Sequence, residues 1–131
     1  MSIKISDKIL QSVEKPSRYI GNEWNSVHKD LTGIEARFAF CFPDVYEVGM
    51  SHLGMKILYH LLNEREDTYC ERVFAPWVDM EAKMRENNIP LFSLETHDPI
   101  KNFDIVGFTL QYEMSYTNII NMMDLAQIPV F

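Results

Sequence analysis

Two short segments carry the side chains best suited to binding a ligand. Residues 43–51 contain two carboxylates, a glycine and a histidine, and residues 109–115 add a threonine, a glutamine, a glutamate and a serine. Each segment leads into a predicted helix, whose first turn offers free backbone N–H groups to an anion. The candidate ligand-binding residues are Pro43, Asp44, Glu47, Gly49, Ser51, His52, Thr109, Gln111, Glu113 and Ser115.

Several of these residues also have a structural interpretation. Gly49 and Gly54 would let a backbone approach a ligand closely, but a turn glycine and a helix-packing glycine explain them equally well. His52 suits a ligand or acid–base role, yet a helix-start histidine bonded to a nearby backbone group is the favoured interpretation. Helix capping alone would explain Ser115.

The carboxylates and thioethers of the first segment have the same two interpretations. Asp44 and Glu47 face the predicted crevice, although two carboxylates in one loop are more often solvated surface than an acid–base pair. Met50 and Met55 flank a helix start and could line a bulky planar ligand. Core filling is the favoured role of these two methionines.

Common nucleotide and metal motifs are missing from the sequence. The absence of G-x-G-x-x-G argues against NAD, and the absence of G-x-x-x-x-G-K-[ST] argues against a phosphate-loop NTPase. Cys41 and Cys70 lie in apolar surroundings, which predicts reduced core thiols. The histidines are scattered, without the spacing of a structural zinc site.

The apolar pattern predicts strands that alternate with amphipathic helices. We expect one helix capped by Ser51 and ending near Arg65, a second capped by Asp79 and a third capped by Ser115. The predicted strands cover residues 37–42, 70–75, 91–94 and 105–110. This succession predicts an α/β, Rossmann-like or flavodoxin-like three-layer domain with a mostly parallel sheet and the strand order third, second, first, fourth. The two polar segments then meet beyond the carboxyl ends of the first and fourth strands, where the strand order reverses.

Residues 1–35 differ from the α/β domain that we predict for residues 36–131. A short helix capped by Ser6 is expected to run to Val13. The residues that follow lack a clear period and predict an extended arm over the domain. Its expected anchors are Tyr19, Ile20 and Trp24.

Composition excludes several classes of protein. The chain has 131 residues, a formal net charge of −7 and a pI of about 5.0. Nucleic-acid binding is not expected, because phosphate neutralisation needs clustered Lys and Arg. No stretch approaches the ~18 apolar residues of a membrane span, and the start MSIKISDKILQSVEK lacks the apolar region of a signal peptide. We therefore expect a cytoplasmic protein without membrane contact.

Three stretches of the sequence carry a family resemblance. They are PSRYIGNEWNSVHKD, RFAFCFPDVYEVGMSHLGMKILYHLLN and DIVGFTLQYEMSYTNIINMMDLA. In this order they resemble the N-terminal region of a group of bacterial radical S-adenosylmethionine (radical SAM) proteins. The resemblance implies a Rossmann-like domain similar to cobalamin-binding domains, with cobalamin as its cofactor. It also implies a downstream radical SAM domain of the same polypeptide as partner, with S-adenosylmethionine and a 4Fe-4S cluster held outside this chain.

Two motifs found in such proteins are missing. Without the Cys-x-x-x-Cys-x-x-Cys run that holds the cluster, this chain alone is not expected to perform radical chemistry. The Asp-x-His-x-x-Gly motif, whose histidine ligates cobalt in some cobalamin proteins, is absent too, and residues 96–99 have a different spacing. Two functions stay open: a cofactor-binding module, favoured by the polar loops, and a degenerate module for docking or substrate positioning, favoured by the missing motif.

The domain is expected to be incomplete after its third helix. Residues 105–110 contain no Lys, Arg or Pro, and an unguarded apolar edge is a template for another strand. We therefore expect the isolated chain to self-associate through this strand or through the third helix. Alternatively, residues 19–24 of the arm cover the edge and keep the chain monomeric.

Overall fold

Three parallel strands form one sheet in the computed structural model, which describes residues 2–130. These are β1 (Ala36–Phe42), β2 (Thr68–Phe74) and β3 (Ile105–Phe108), in the order β2–β1–β3. The α/β class, the parallel pairing and the central place of the first strand are confirmed. The last strand is shorter than predicted and ends at Phe108.

Helices cover both faces of this sheet. Within residues 2–130 the α-helices are α1 (Asp7–Ser12), α2 (Tyr46–Met50), α3 (Leu53–Glu64), α4 (Val78–Glu86) and α5 (Ser115–Leu125). Short 3-10 turns occur at Pro16–Tyr19 and Ile100–Asn102. Among the helices of this part of the chain, none has the length and apolar character needed to cross a bilayer.

The central strand β1 supplies side chains to two separate cores. Ala39 and Cys41 pack with the buried methionines of α4 and α5 on one face. Phe40 and Phe42 pack with Met55 of α3 on the other. Successive strand residues point to opposite faces, so an apolar run such as Phe-Ala-Phe-Cys-Phe suits a strand covered on both sides.

The predicted strand at residues 91–94 is wrong. The segment nevertheless lies beside β2, because the Leu94 N–H donates to the Arg72 carbonyl at 2.8 Å. Next to this bond the Glu95 carboxylate, not a backbone carbonyl, accepts the Arg72 N–H at 2.8 Å. A side chain thus takes the place of the second backbone bond, and the segment does not continue as a strand.

The predicted helix from Ser51 to Arg65 is divided into α2 and α3. Ser51 ends α2, and its hydroxyl donates to the Glu47 carbonyl at 2.8 Å. His52 caps α3 instead, since its Nδ1 accepts the Met55 N–H at 3.1 Å. The predicted cap at Ser51 is therefore wrong, and the structural interpretation of His52 is confirmed.

Two further predicted caps are displaced by one or two residues. Trp77 is the N-cap of α4, and Asp79 lies inside the first turn, where its carboxylate accepts the Glu14 N–H of the arm at 2.7 Å. Ser115 is the first residue of α5, and the N-cap, Met114, makes no side-chain capping bond. Tertiary contact of Asp79 with the arm replaces the local cap that sequence spacing predicts.

Of the three expected anchors of the arm, only Tyr19 is confirmed. Ser6 caps α1 as predicted, accepting a backbone N–H of the first turn at 3.3 Å. Tyr19 is buried, and its hydroxyl accepts the Trp77 N–H at 3.2 Å. Ile20 is 40% exposed and Trp24 fully exposed, so their predicted anchoring is wrong.

The arm lies on the β2 side of the sheet, away from β3. Gly21 contacts the backbone of Leu94, Glu23 bonds Arg72, and the Val27 N–H donates to Tyr59. The alternative in which residues 19–24 cover the last strand is therefore wrong. No strand within residues 2–130 pairs with the outer edge of β3.

Candidate functional site

The two polar loops predicted to form a site do lie side by side. The Asn118 amide of α5 donates to the Pro43 carbonyl at 2.9 Å. The Thr109 N–H continues the β1–β3 ladder by donating to the Cys41 carbonyl at 3.1 Å. Both loops follow the carboxyl ends of neighbouring parallel strands, which is the position where α/β sheets bind ligands.

Polar side chains of the first loop are bonded to the protein itself. Glu47 lies 2.9 Å from Arg18 and 3.4 Å from Lys15 of the arm, and the hydrogen bond from Arg18 lowers the pKa of Glu47. Asp44 accepts the N–H of Val45 at 2.7 Å. These carboxylates are held by the arm and the loop, so neither is placed as a free acid or base.

Gly49 and His52 serve packing around α2 and α3. A methyl group on Gly49 would lie 2.1 Å from the Phe74 ring, so only glycine fits this close approach. The His52 ring lies 5.2 Å from that of Phe42, measured between centroids. Gly49 lies within α2 and not in the turn that its structural interpretation expected, and its backbone packs closely against the core.

The second loop is more open than the first. Thr109 donates to the Gln111 side chain at 3.2 Å, and Gln111 and Glu113 are exposed. Tyr112 and Met114 are also exposed, at 52% and 77%. This loop presents both polar and apolar groups beside the first turn of α5, whereas Ser115 is buried beneath it.

A buried charge cluster on β2 is the main feature that the sequence interpretation missed. Glu71 and Arg72 are adjacent in the strand and only 0% and 5% exposed. Because they are consecutive in a strand, they point to opposite faces of the sheet. The sequence does contain a sign of this cluster, because two opposite charges are adjacent inside an otherwise apolar strand. Such charges, once buried, require partners from other segments of the chain.

Arg72 joins its own strand to three other segments on the α3 side. Its Nε bonds Glu95 at 2.6 Å and its Nη2 bonds Glu23 at 3.1 Å. The Tyr59 hydroxyl donates to Glu95 at 3.0 Å, and the Tyr59 ring lies 4.7 Å from the guanidinium carbon. Burial acts to lower the pKa of Arg72, but the carboxylates of Glu95 and Glu23 outweigh it and raise that pKa. The guanidinium therefore stays charged and clamps the arm to the sheet.

Glu71 belongs to a second cluster on the opposite face. It pairs with Arg37, whose guanidinium also lies 2.9 Å from Asp98 and 4.3 Å from the Phe103 ring centre. Ser93 donates to Glu71 at 2.9 Å. The contacts fix the turn at residues 93–98 against the sheet, which is a structural role.

The described residues form neither a reactive thiol site nor a metal-binding site. Cys41 and Cys70 are free and fully buried, as predicted for core thiols. Burial raises the pKa of Cys70 to about 12 and also raises that of Cys41, so both remain protonated and unreactive. Across residues 2–130, no group of three or more His, Cys, Asp or Glu side chains is placed to hold a metal ion.

Comparison with known proteins gives two matches and one negative result. The model of a family described as radical SAM proteins, N-terminal, matches residues 54–131. A protein of Methanocaldococcus jannaschii described as uncharacterized is 31% identical over 84 residues, which are 64% of this chain. The chain spans only 15% of the length of that relative. No solved structure matches.

Proposed function

The chain belongs to the family of N-terminal regions of radical SAM proteins, and we propose that it is a noncatalytic domain that docks and positions the catalytic part of a radical SAM enzyme. The 4Fe-4S cluster needs three thiolate ligands. This chain has two cysteines, both buried and protonated, so the cluster does not fit here. We assign the cluster and S-adenosylmethionine to the downstream radical SAM domain of the same polypeptide.

The exposed side of β3 and α5 carries this proposal. The outer edge of β3 is unpaired among the described residues, and its four residues include no charge or proline to deter pairing. Large apolar side chains of β3, of the loop that follows it and of α5 are about half exposed or more: Ile105, Leu110, Tyr112, Met114, Tyr116 and Ile120. Extended apolar surface of this kind marks an interaction site, and the remaining polypeptide of a radical SAM protein is the partner we propose.

The internal contacts made by the first loop favour a docking function over cofactor binding. Glu47 is paired with the arm, His52 caps α3 and Ser51 bonds backward to Glu47. A corrin that used these side chains would have to compete with each of these internal contacts. His52 offers cobalt only its Nε2, because Nδ1 is already an acceptor in the cap.

Cobalamin binding is the second candidate, and the open loop at residues 109–115 favours it. Gln111, Tyr112, Glu113 and Met114 are exposed at the carboxyl end of the sheet. The bond from Asn118 to Pro43 keeps this loop beside the first. A corrin could rest on the apolar groups there without a histidine ligand from the chain.

Retention of hydroxocobalamin separates the two candidates. The 131-residue chain is mixed with hydroxocobalamin and desalted, and the visible spectrum of the protein fraction is recorded. We expect no corrin absorbance above that of an unrelated protein of similar size. Stoichiometric retention that is lost in a Gln111→Ala variant would overturn the docking proposal in favour of cobalamin binding.

The open edge also predicts self-association of the isolated chain. Sedimentation velocity at tens of micromolar should show a dimer whose fraction rises with concentration, because an unguarded strand edge pairs with another copy. Ile105→Lys should give a monomer, since a charge at the edge deters pairing. Ile57→Lys, at an equally exposed site on α3, should still dimerise. A monomeric wild-type chain, or equal behaviour of both variants, contradicts this prediction.

A further inference from the structure

A cleft of about 440 Å³ lies between the arm and α3, and Gly49 and Met50 at the end of the first polar loop form part of its wall. Its walls include Trp24, Met50, Met55, Lys56, Tyr59 and Arg72. The volume falls in the range of small-molecule sites, which are mostly apolar with a few placed polar groups. We propose that this cleft binds a small planar aromatic ligand that carries a carbonyl or carboxylate oxygen and at most one negative charge.

Trp24 supplies an aromatic platform on a fixed backbone. Its side chain is fully exposed, although the residues on both sides are held in place. The Glu23 carboxylate accepts the Tyr46 hydroxyl at 2.7 Å, and the Ser26 hydroxyl accepts from Arg72 Nη2 at 2.9 Å. An indole presented on a rigid segment can stack on a planar ring without first being ordered.

Arg72 supplies the polar contact at the base of the cleft. Its Nε and Nη2 bond oxygen atoms, but Nη1 contacts the Met50 sulfur at 3.3 Å, and a thioether is a weak acceptor. A carbonyl or carboxylate oxygen would accept a charge-assisted hydrogen bond from this buried nitrogen. That oxygen would replace the Met50 sulfur as the acceptor, and the Met50 side chain would have to move aside.

The charges around the cleft limit the net charge that a bound ligand can carry. Glu23 and Glu95 outnumber Arg72 by one negative charge, and Lys56 at the rim restores neutrality. A neutral or singly anionic ligand fits this balance, whereas a polyphosphate does not. The oxygens of both carboxylates already accept hydrogen bonds from the protein, so a cationic ligand would have to compete with these donors.

Three naphthalene probes of equal ring size test the chemistry. Titrations of 2-naphthamide, 2-naphthoate and 2-naphthylmethylammonium are followed by ¹H–¹⁵N NMR of the isotopically labelled 131-residue chain. We expect the amide and the carboxylate to bind with dissociation constants of about 1 mM, as suits ligands of this size. The ammonium probe should bind roughly tenfold more weakly, because it cannot accept from Arg72. Shifts should centre on the Trp24 indole N–H and the Arg72 side chain.

Two variants and one control complete the test. Trp24→Ala should weaken naphthoate binding about fivefold through lost stacking, with an unchanged urea midpoint because this side chain is exposed. Lys56→Gln should weaken binding of naphthoate but leave that of naphthamide unchanged, because only naphthoate carries a negative charge for Lys56 to attract. Leu53→Ala, on the same helix but outside the cleft, should change nothing. The proposal fails if no probe binds at millimolar concentration, if the ammonium binds equally well, or if Trp24→Ala binds like the wild type.

Discussion

Replacing Arg72 with methionine should lower the free energy of unfolding by about 3–5 kcal/mol, the usual cost of removing one partner of a buried ion pair. The change leaves the Glu95 carboxylate, which is fully buried, without its cation. It also removes the bonds to Glu23 and Ser26 that hold the arm. Urea unfolding measures the loss, and limited proteolysis should show early cleavage within residues 2–35.

Two further variants show whether burial is the cause. Arg65→Met removes the exposed pair with Asp67 and should leave the urea midpoint nearly unchanged, because solvent screens such a pair. The double variant Arg72→Met with Glu95→Leu should recover part of the lost stability, since the fully buried carboxylate is removed together with its cation. Equal losses for Arg65→Met and Arg72→Met would contradict the proposed role of the buried cluster.

Gly21→Ala should lower the free energy of unfolding by about 2–4 kcal/mol, or release the arm from the domain. Gly21 has a φ of +78°, in the left-handed region that favours glycine. A methyl group there would also lie 1.9 Å from the Leu94 carbonyl oxygen, and backbone atoms cannot move aside cheaply. Urea unfolding and proteolysis of the arm measure the two outcomes.

Gly33 provides a matched control for this substitution. Its φ of +87° gives a similar backbone strain, but no atom lies within 4 Å of an added methyl group. Gly33→Ala should therefore cost only about 1 kcal/mol, from the backbone alone. If Gly21→Ala and Gly33→Ala are equally destabilising, the contact with Leu94 does not hold the arm.

Both predictions concern the connection between arm and cleft. Glu23 and Ser26 bond Arg72 on either side of Trp24, so the contacts that fasten the arm also place the exposed indole. Loss of the arm would open the cleft and remove one of its walls. Arg72→Met and Gly21→Ala should therefore also abolish binding of 2-naphthoate, whereas Gly33→Ala should preserve it.

The parallel sheet and its two cores could be predicted from local patterns. Apolar runs such as residues 37–42 and 105–108 identify buried strands, because strands covered on both faces need apolar residues at consecutive positions. The alternation with helical stripes implies parallel strands joined by crossovers. Adjacency of the two polar loops follows from the same topology, since the loops after parallel neighbours share one end of the sheet. The bond between Asn118 and Pro43 joins them there.

The roles of single side chains depend on contacts between distant segments. The sequence predicts Glu47 as a carboxylate of the crevice, but in the folded chain it pairs with Arg18 of the arm. It predicts Asp79 as a helix cap, but the Asp79 carboxylate accepts the Glu14 N–H of the arm. The segment at residues 91–94 has a strand-like composition, yet the carboxylate of Glu95 takes the hydrogen bond that a strand would need. No local pattern contains these partners, because each side chain and its partner are between 23 and 65 residues apart in the sequence. The position of the arm, the buried charges of β2 and the cleft beside Trp24 were therefore decided by tertiary packing, in which each charged group must find its partner as it leaves water.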